Sequence, residues 1–222
     1  MNPDFIVPED GMILIDKPAG ITSFGVVARV RRRLSEQLGK KAKVGHTGTL
    51  DPFATGLMLI VTGKECRNAM NYSKLDKEYE AVIRLGLTSS TGDPEGELTE
   101  VSTHIPTKEA VEAALEPFRG EITQRPPMFS AIKINGRRAY DLARKGEVVE
   151  IPERQVTVYN LELIDYTYPD VRIRAHVSSG TYIRSLAEDI GKVLETGAYC
   201  AELRRTKVAD WRVDDATPIT TA

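Results

Sequence analysis

The chain has 222 residues, 41% of them hydrophobic, with 30 Lys and Arg against 32 Asp and Glu and a net charge of −2. That size allows one large domain or two small ones, and the near-neutral balance excludes a uniformly basic nucleic-acid binder, so any such role must rest on local patches. There is no apolar run of the ~18 residues a membrane span needs and no basic-then-apolar leader, while Cys66 and Cys200 lack metal-ligand spacing and read as two reduced thiols.

Met12-Ile13-Leu14-Ile15 is an apolar strand that runs into the turn Asp16-Lys17-Pro18-Ala19-Gly20. Thr22 or Ser23 caps a helix reaching about Leu38, with Gly39 as its stop. Phe24, Val27, Val30, Leu34 and Leu38 form its apolar face, and Arg29, Arg32 and Arg33 lie opposite. Arg31 falls inside the apolar stripe, so it either snorkels at the edge or reaches something beyond the helix. With Lys40, Lys41 and Lys43 these arginines make a first basic cluster, a solvated face or a phosphate contact.

Gly45-His46-Thr47-Gly48-Thr49-Leu50-Asp51-Pro52-Phe53-Ala54-Thr55-Gly56-Leu57 concentrates small residues around one carboxylate and one imidazole. Its glycines permit backbone angles closed to other residues, which predicts a shaped loop and neither strand nor helix. Pro52 turns Asp51 away from helical angles and stiffens the loop. Such an acid can meet a substrate, or it can simply cap a nearby amide. Residues 57–61 then read as a buried strand, 65–75 as a short helix, and 79–85 as a strand with Tyr79, Ala81, Ile83 and Leu85 on its buried face. Residues 88–100 are expected to form an exposed acidic loop, and Thr107 to cap a helix ending near Phe118.

Beyond Pro126-Pro127 the texture changes. Ser130 to Tyr140 predicts a strand, an Asn135-Gly136 turn and the start of a short helix, with Lys133, Arg137, Arg138, Arg144 and Lys145 gathered around Tyr140 as a second basic cluster. Cations beside an aromatic favour RNA over simple solubility. Residues 156–166 and 171–178 alternate around Pro169-Asp170 as a hairpin. In Ser179-Gly180-Thr181-Tyr182-Ile183-Arg184-Ser185-Leu186-Ala187, the apolar spacing puts Thr181, Tyr182 and Arg184 in the first turn of a helix. An arginine there opposes the positive end of the helix dipole and calls for a carboxylate partner. A third basic cluster, Arg204-Arg205, follows Leu203.

Taken together, the Asp16–Ser23 turn, the Asp51 loop, Lys77-Glu78-Tyr79, the Gly180–Leu186 string and Leu203-Arg204-Arg205-Thr206 resemble the TruB family of pseudouridine synthases, in order and over nearly the whole chain. The resemblance implies an α+β pseudouridine synthase fold: a large, mostly antiparallel mixed sheet with flanking helices and a thumb insertion at about 124–153, in one catalytic domain over 1–222. The family's further RNA-binding domain of the PUA type is expected to be missing. The implied activity is isomerisation of uridine 55 in the T arm of tRNA, with no metal and no cofactor, by a cytoplasmic monomer that needs tRNA but neither a membrane nor a protein partner.

By the same resemblance Asp51 is the nucleophile, adding to the base at C6, attacking the sugar at C1′, or expelling the base towards a glycal. Arg184 keeps Asp51 ionised, a neighbouring cation lowering a carboxylate by about 1–3 units. Tyr79 stacks on the flipped uracil or serves as a base in the glycal route. His46, Lys17, Tyr182, Leu203, Lys133, Arg137 and Arg138 are expected on the substrate, Leu203 lining the base pocket. The family's Tyr before the Ser-Ala pair is Phe129 here, so a hydroxyl is lost. Two rival readings stay open: a non-catalytic RNA-binding or RNA-folding module of the same fold, and a hydrolase with Asp51 as nucleophile. The second would want another carboxylate about 5 Å away, and the Asp51 motif offers none.

Overall fold

The computed structural model describes residues 6–130, 132–134, 137–138 and 151–219. It falls into two compact units, residues 1–79 with 204–222, and residues 80–203. The elements in the first are β1 (Gly11–Lys17), α1 (Ser23–Leu38), β2 (Val44–His46), β3 (Thr55–Thr62), a 3-10 turn (Gly63–Asn68), α2 (Ala69–Ser73) and the start of β4 (Lys77–Leu85). The second unit continues β4 and adds β5 (Leu87–Ser89), β6 (Leu98–Glu100), α3 (Lys108–Leu115), β7 (Gly120–Gln124), β8 (Lys133–Ile134), β9 (Arg137–Arg138), β10 (Arg154–Thr167), β11 (Asp170–Val177) and α4 (Ile183–Val193). β12 (Ala198–Val208) carries the chain back into the first unit, which ends with β13 (Trp211–Arg212) and β14 (Thr217–Pro218).

In the first unit the strand order is β14-β1-β3-β12, with β2 also on β3 and β13 on β12. β1 runs antiparallel to β3, from Gly11 opposite Thr62 to Lys17 opposite Gly56. The β1–β14 and β3–β12 pairs are parallel. Every β3 residue from Gly56 to Thr62 is buried, so this strand is covered on both faces, as its unbroken apolar run predicts. Leu57 and Leu59 pack with Val208 and Val213 on one face. In the second unit the order is β4-β11-β10-β7, and antiparallel β10 and β11 form the expected hairpin. α3 packs on β10 and α4. The class is α+β, and its sheet pairs are mainly antiparallel.

Several details differ from expectation. Helix α1 is capped by Thr22, whose Oγ1 accepts from the Gly25 N–H, and ends on left-handed Gly39. Its buried stripe, however, is Ser23, Val26, Val27, Val30 and Leu34, while Phe24 is 66% exposed. Ser23 turns inward to bind the Asp51 loop, and at 3.6 residues per turn the next side chain is swung about 100° outward. The Asp51 motif also begins and ends in strand: Gly45-His46 belong to β2 and Thr55-Gly56-Leu57 to β3. Residues 65–75 form a 3-10 turn followed by the short α2. Val82 is buried along with Ala81 and Ile83, so β4 is covered on both faces there. Residues 88–100 form a β5–β6 hairpin with Asp93 buried at its tip. The thumb's short helix, with Tyr140, Arg144 and Lys145, lies outside the described residues.

Candidate active site

The Asp51 loop is held by the turn that precedes α1. Buried Ser23 donates through Oγ to the Leu50 carbonyl and accepts from the Leu50 N–H, both at 2.8 Å. The Pro52 carbonyl accepts from the Gly20 N–H at 2.9 Å and from Lys17 Nζ at 3.2 Å. The residues on either side of Asp51 are thus pinned by one short motif. Asp51 itself is half-buried, and its own carbonyl receives the Ala54 N–H. Lys17 is fully buried and also donates to the carbonyls of Pro18 and Ile21, both at 2.9 Å. In this unit it shapes the loop.

A second support comes from β12. Arg205, a member of the third basic cluster, is 2% exposed. Its Nε donates to the Leu57 carbonyl at 2.7 Å and its Nη2 to the Gly48 carbonyl at 3.2 Å. Arg204 forks onto Asp16 at 3.1 and 2.8 Å. Gly56 has φ 105°, and a Cβ there would lie 2.3 Å from the Arg205 carbonyl oxygen, so only glycine lets β3 approach β12 this closely. The other two glycines of the motif that were given special angles, Gly45 and Gly48, need no positive φ.

Because both polar groups of Leu50 depend on one hydroxyl, Ser23→Ala should cost about 1–3 kcal/mol, the penalty for stranding buried backbone groups. Turnover should fall with it. Urea unfolding checks the first effect; an unchanged midpoint would mean that the loop holds itself.

Tyr79 is half-buried on β4. Beside it, Lys77 is buried and donates to the carbonyls of Ser73 and Leu75 at the end of α2. Burial pushes this lysine down to about 8, and Arg205 adds to the effect while Asp76 opposes it. The folded value lies below the unfolded one of 10.5. Between the two the unfolded chain binds more protons, so this group makes stability rise with pH from about 8 towards 10.5 and adds no slope below that window. Comparing urea midpoints of the wild type and Lys77→Met from pH 7 to 10 should show the rise only in the former. Parallel curves would refute the assignment.

In the second unit the site is built on the start of α4. Arg184, in the first turn as expected, is 3% exposed. Its Nη1 donates to the Thr91 carbonyl at 2.9 Å and to Asp93 Oδ2 at 3.0 Å, and its Nη2 to the Phe129 carbonyl at 2.7 Å. Asp93 Oδ1 accepts from Thr91 Oγ1 at 2.6 Å and from the Glu95 N–H at 3.0 Å. Asp93 lies in the stretch expected to be an exposed acidic loop, and here it is the buried counter-ion of an expected site residue. The one signal in the sequence was indirect: an arginine at a helix start needs an acid, but nothing in the 88–100 stretch says which. Glu188, one turn along α4, is pushed up mainly by burial. A Cβ on Gly92 would sit 2.3 Å from its Oε1.

The same helix start holds residues on either side of the stretch expected to form the thumb. The buried amide of Gln124 exchanges two hydrogen bonds with Tyr182, accepting from its N–H at 2.7 Å and donating to its carbonyl at 3.0 Å. Ser185 Oγ donates to the Arg125 carbonyl at 2.9 Å. Just beyond that stretch, at the start of β10, Arg154 lies over the Tyr182 ring, 4.8 Å from its centroid, and donates to the Gly180 carbonyl. Lys133 and Arg138 sit on the β8–β9 hairpin with Arg137, whose side chain is exposed. Leu203 is buried on β12. Lys17, His46 (on β2), Asp51 and Tyr79 therefore belong to the first unit, and Lys133, Arg137, Arg138, Tyr182, Arg184 and Leu203 to the second. No helix among the described residues is long and apolar enough to cross a membrane.

Residues 32–183 match the N-terminal domain of the TruB family pseudouridylate synthases, and residues 184–221 match the tRNA pseudouridylate synthase B C-terminal domain. The chain is 46% identical over 214 residues to tRNA pseudouridine synthase B of Phocaeicola vulgatus, covering 95% of this chain and 91% of that one. It is 45% identical over 212 residues to its Aquifex aeolicus namesake, covering 95% and 72%. Among solved structures, the crystal structure of a Cbf5-Nop10-Gar1 complex contains a chain that superposes with a TM-score of 0.72 at 31% identity. The match covers 99% of this chain and 58% of that one.

Proposed function

This chain belongs to the TruB family, isomerases that make pseudouridine in tRNA, and from that premise we propose that it acts on uridine 55 of the T arm with Asp51 as nucleophile. The observation that carries the reading is the double clamp on Leu50 and Pro52, which holds the Asp51 backbone in place through groups that are not its own carboxylate. A nucleophile fixed before substrate arrives has its orientation cost met in folding.

The reaction breaks the bond from N1 to C1′, forms one from C5 to C1′, removes the C5 proton and leaves N1 protonated. No electrons enter or leave, so a carboxylate and a rigid pocket suffice. Asp51 acts at the junction of base and sugar, and Arg184 keeps it ionised. Tyr79 stacks on the uracil once the base has left its loop, a step that costs a few kcal/mol. Leu203 lines the base, and His46 and the hairpin cations Lys133, Arg137 and Arg138 hold the RNA. Tyr182 braces the thumb over it. Lys17 serves the substrate through the loop it buries. The enzyme works as a cytoplasmic monomer on tRNA, without an obligatory protein partner.

Incubation with a T-arm hairpin tests this reading against its rivals. Isomerised uridine in the hairpin supports it. Released uracil would make the chain a hydrolase, and binding without conversion would make it a non-catalytic module.

A further inference from the structure

The basic run on α1 has no part in the chemistry above. Phe24, exposed to 66%, directly follows Ser23, the residue that holds Leu50 on both sides of its peptide. The outer stripe of α1 runs from Phe24 through Ala28 to Arg31 and Arg32. Arg31 is anchored by a 3.0 Å bond from Nη2 to the Val44 carbonyl and lies 5.9 Å from the Phe24 ring centroid. The exposed Lys41 and Lys43 lead into β2, the short strand that carries His46. Lys43 directly precedes Val44, whose carbonyl accepts the Arg31 bond. Carboxylates on the adjoining elements have partners of their own: Glu9 pairs with Lys40 at 3.1 Å, Asp10 with Lys64 at 3.3 Å, and Glu65 accepts from Tyr72 and Asn68. Glu36 lies 4.0 Å from Arg32. Lys41 and Lys43 are exposed and Arg31 is half-buried.

We infer that Phe24, Arg31, Lys41 and Lys43 form a second RNA-docking surface on the outer side of the Asp51 loop. The lysines and Arg31 take backbone phosphates, and the Phe24 ring stacks on an unpaired base or a ribose. The inference rests on the reading of the chain as a tRNA-modifying enzyme. An exposed ring set among cations suits a polyanion with flat bases, since each phosphate contact releases counterions and each stacked base adds its own increment. Arg31 at its carbonyl holds the cationic edge in place before RNA binds.

The test is filter binding of full-length tRNA transcript across a salt series, with turnover at saturating RNA measured on the same preparations. Lys41→Gln with Lys43→Gln should raise Kd about tenfold near 0.1 M salt and flatten the slope of log K against log salt by roughly 1.8, at about 0.9 per phosphate contact. Phe24→Ala should raise Kd about fivefold, by a similar factor at every salt concentration, because stacking is not a counterion effect. Turnover at saturation should stay at the wild-type value for both. Unchanged Kd and slope in both variants would overturn the inference and leave a solvated face. So would a Phe24→Ala variant that changes only self-association by sedimentation. Loss of wild-type conversion would count against the proposed function instead, and the binding curves would still decide the surface.

Discussion

Asp51→Asn should abolish pseudouridine formation, lowering turnover by more than about a thousandfold, equivalent to about 4 kcal/mol in the barrier. RNA affinity should stay within a few-fold of wild type. The separation follows from how the loop is held. Ser23, Lys17 and Gly20 grip Leu50 and Pro52 by backbone groups, and Arg205 grips Gly48 and Leu57, so the amide variant keeps these supports. Tritium release from 5-labelled uridine and a filter-binding titration measure the two effects. Turnover near wild type would remove Asp51 from the chemistry. Equal loss of binding and turnover would make it a substrate-holding residue.

Asp93→Ala should destabilise the fold by about 3–5 kcal/mol, the range for removing one partner of a buried ion pair. Both side chains are almost wholly buried, 3% and 5% exposed, and the carboxylate also organises Thr91 and Glu95. Arg184→Lys keeps a charge but loses the planar fork that reaches Thr91, Asp93 and Phe129 together. It should lower turnover sharply and also cost stability, which sequence alone gave no reason to expect. Urea unfolding of both variants, beside their tritium-release rates, checks this. A stability loss below about 1 kcal/mol for Asp93→Ala would show that the pair is not the support described here.

The contrast between Arg184 and Asp93 shows what sequence carried and what it withheld. Arg184 was legible because it defies local preference: a cation at the positive end of a helix needs a reason. Asp93 was not, because a Gly-Asp-Pro tip reads equally well as solvated turn and as buried corner; only the fold brings Thr91, Asp93 and α4 together. The long β10–β11 hairpin and the Thr22 and Thr107 caps followed from alternation and hydroxyl placement. The α1 face was misassigned at Phe24 because helical projection assumes that the apolar side faces inward from the first residue. Here the buried direction is set by the Ser23 hydroxyl. Arg205 was legible only as one of two adjacent arginines; that it is buried and holds the Leu57 and Gly48 carbonyls is a fact of the fold. Of the basic residues expected on the thumb, Lys133, Arg137 and Arg138 on β8–β9 lie within the described residues.

We propose that a preformed Asp51 loop isomerises one particular uridine of the T arm. The most direct measurement is single-turnover conversion of a full-length tRNA transcript, with modified positions mapped by sequencing after chemical labelling of pseudouridine. It is run beside a transcript in which uridine 55 alone is replaced by cytidine. One pseudouridine, at position 55, is expected in the first transcript and none in the second. Pseudouridine at other positions in the cytidine transcript, formed at the wild-type rate, would contradict it.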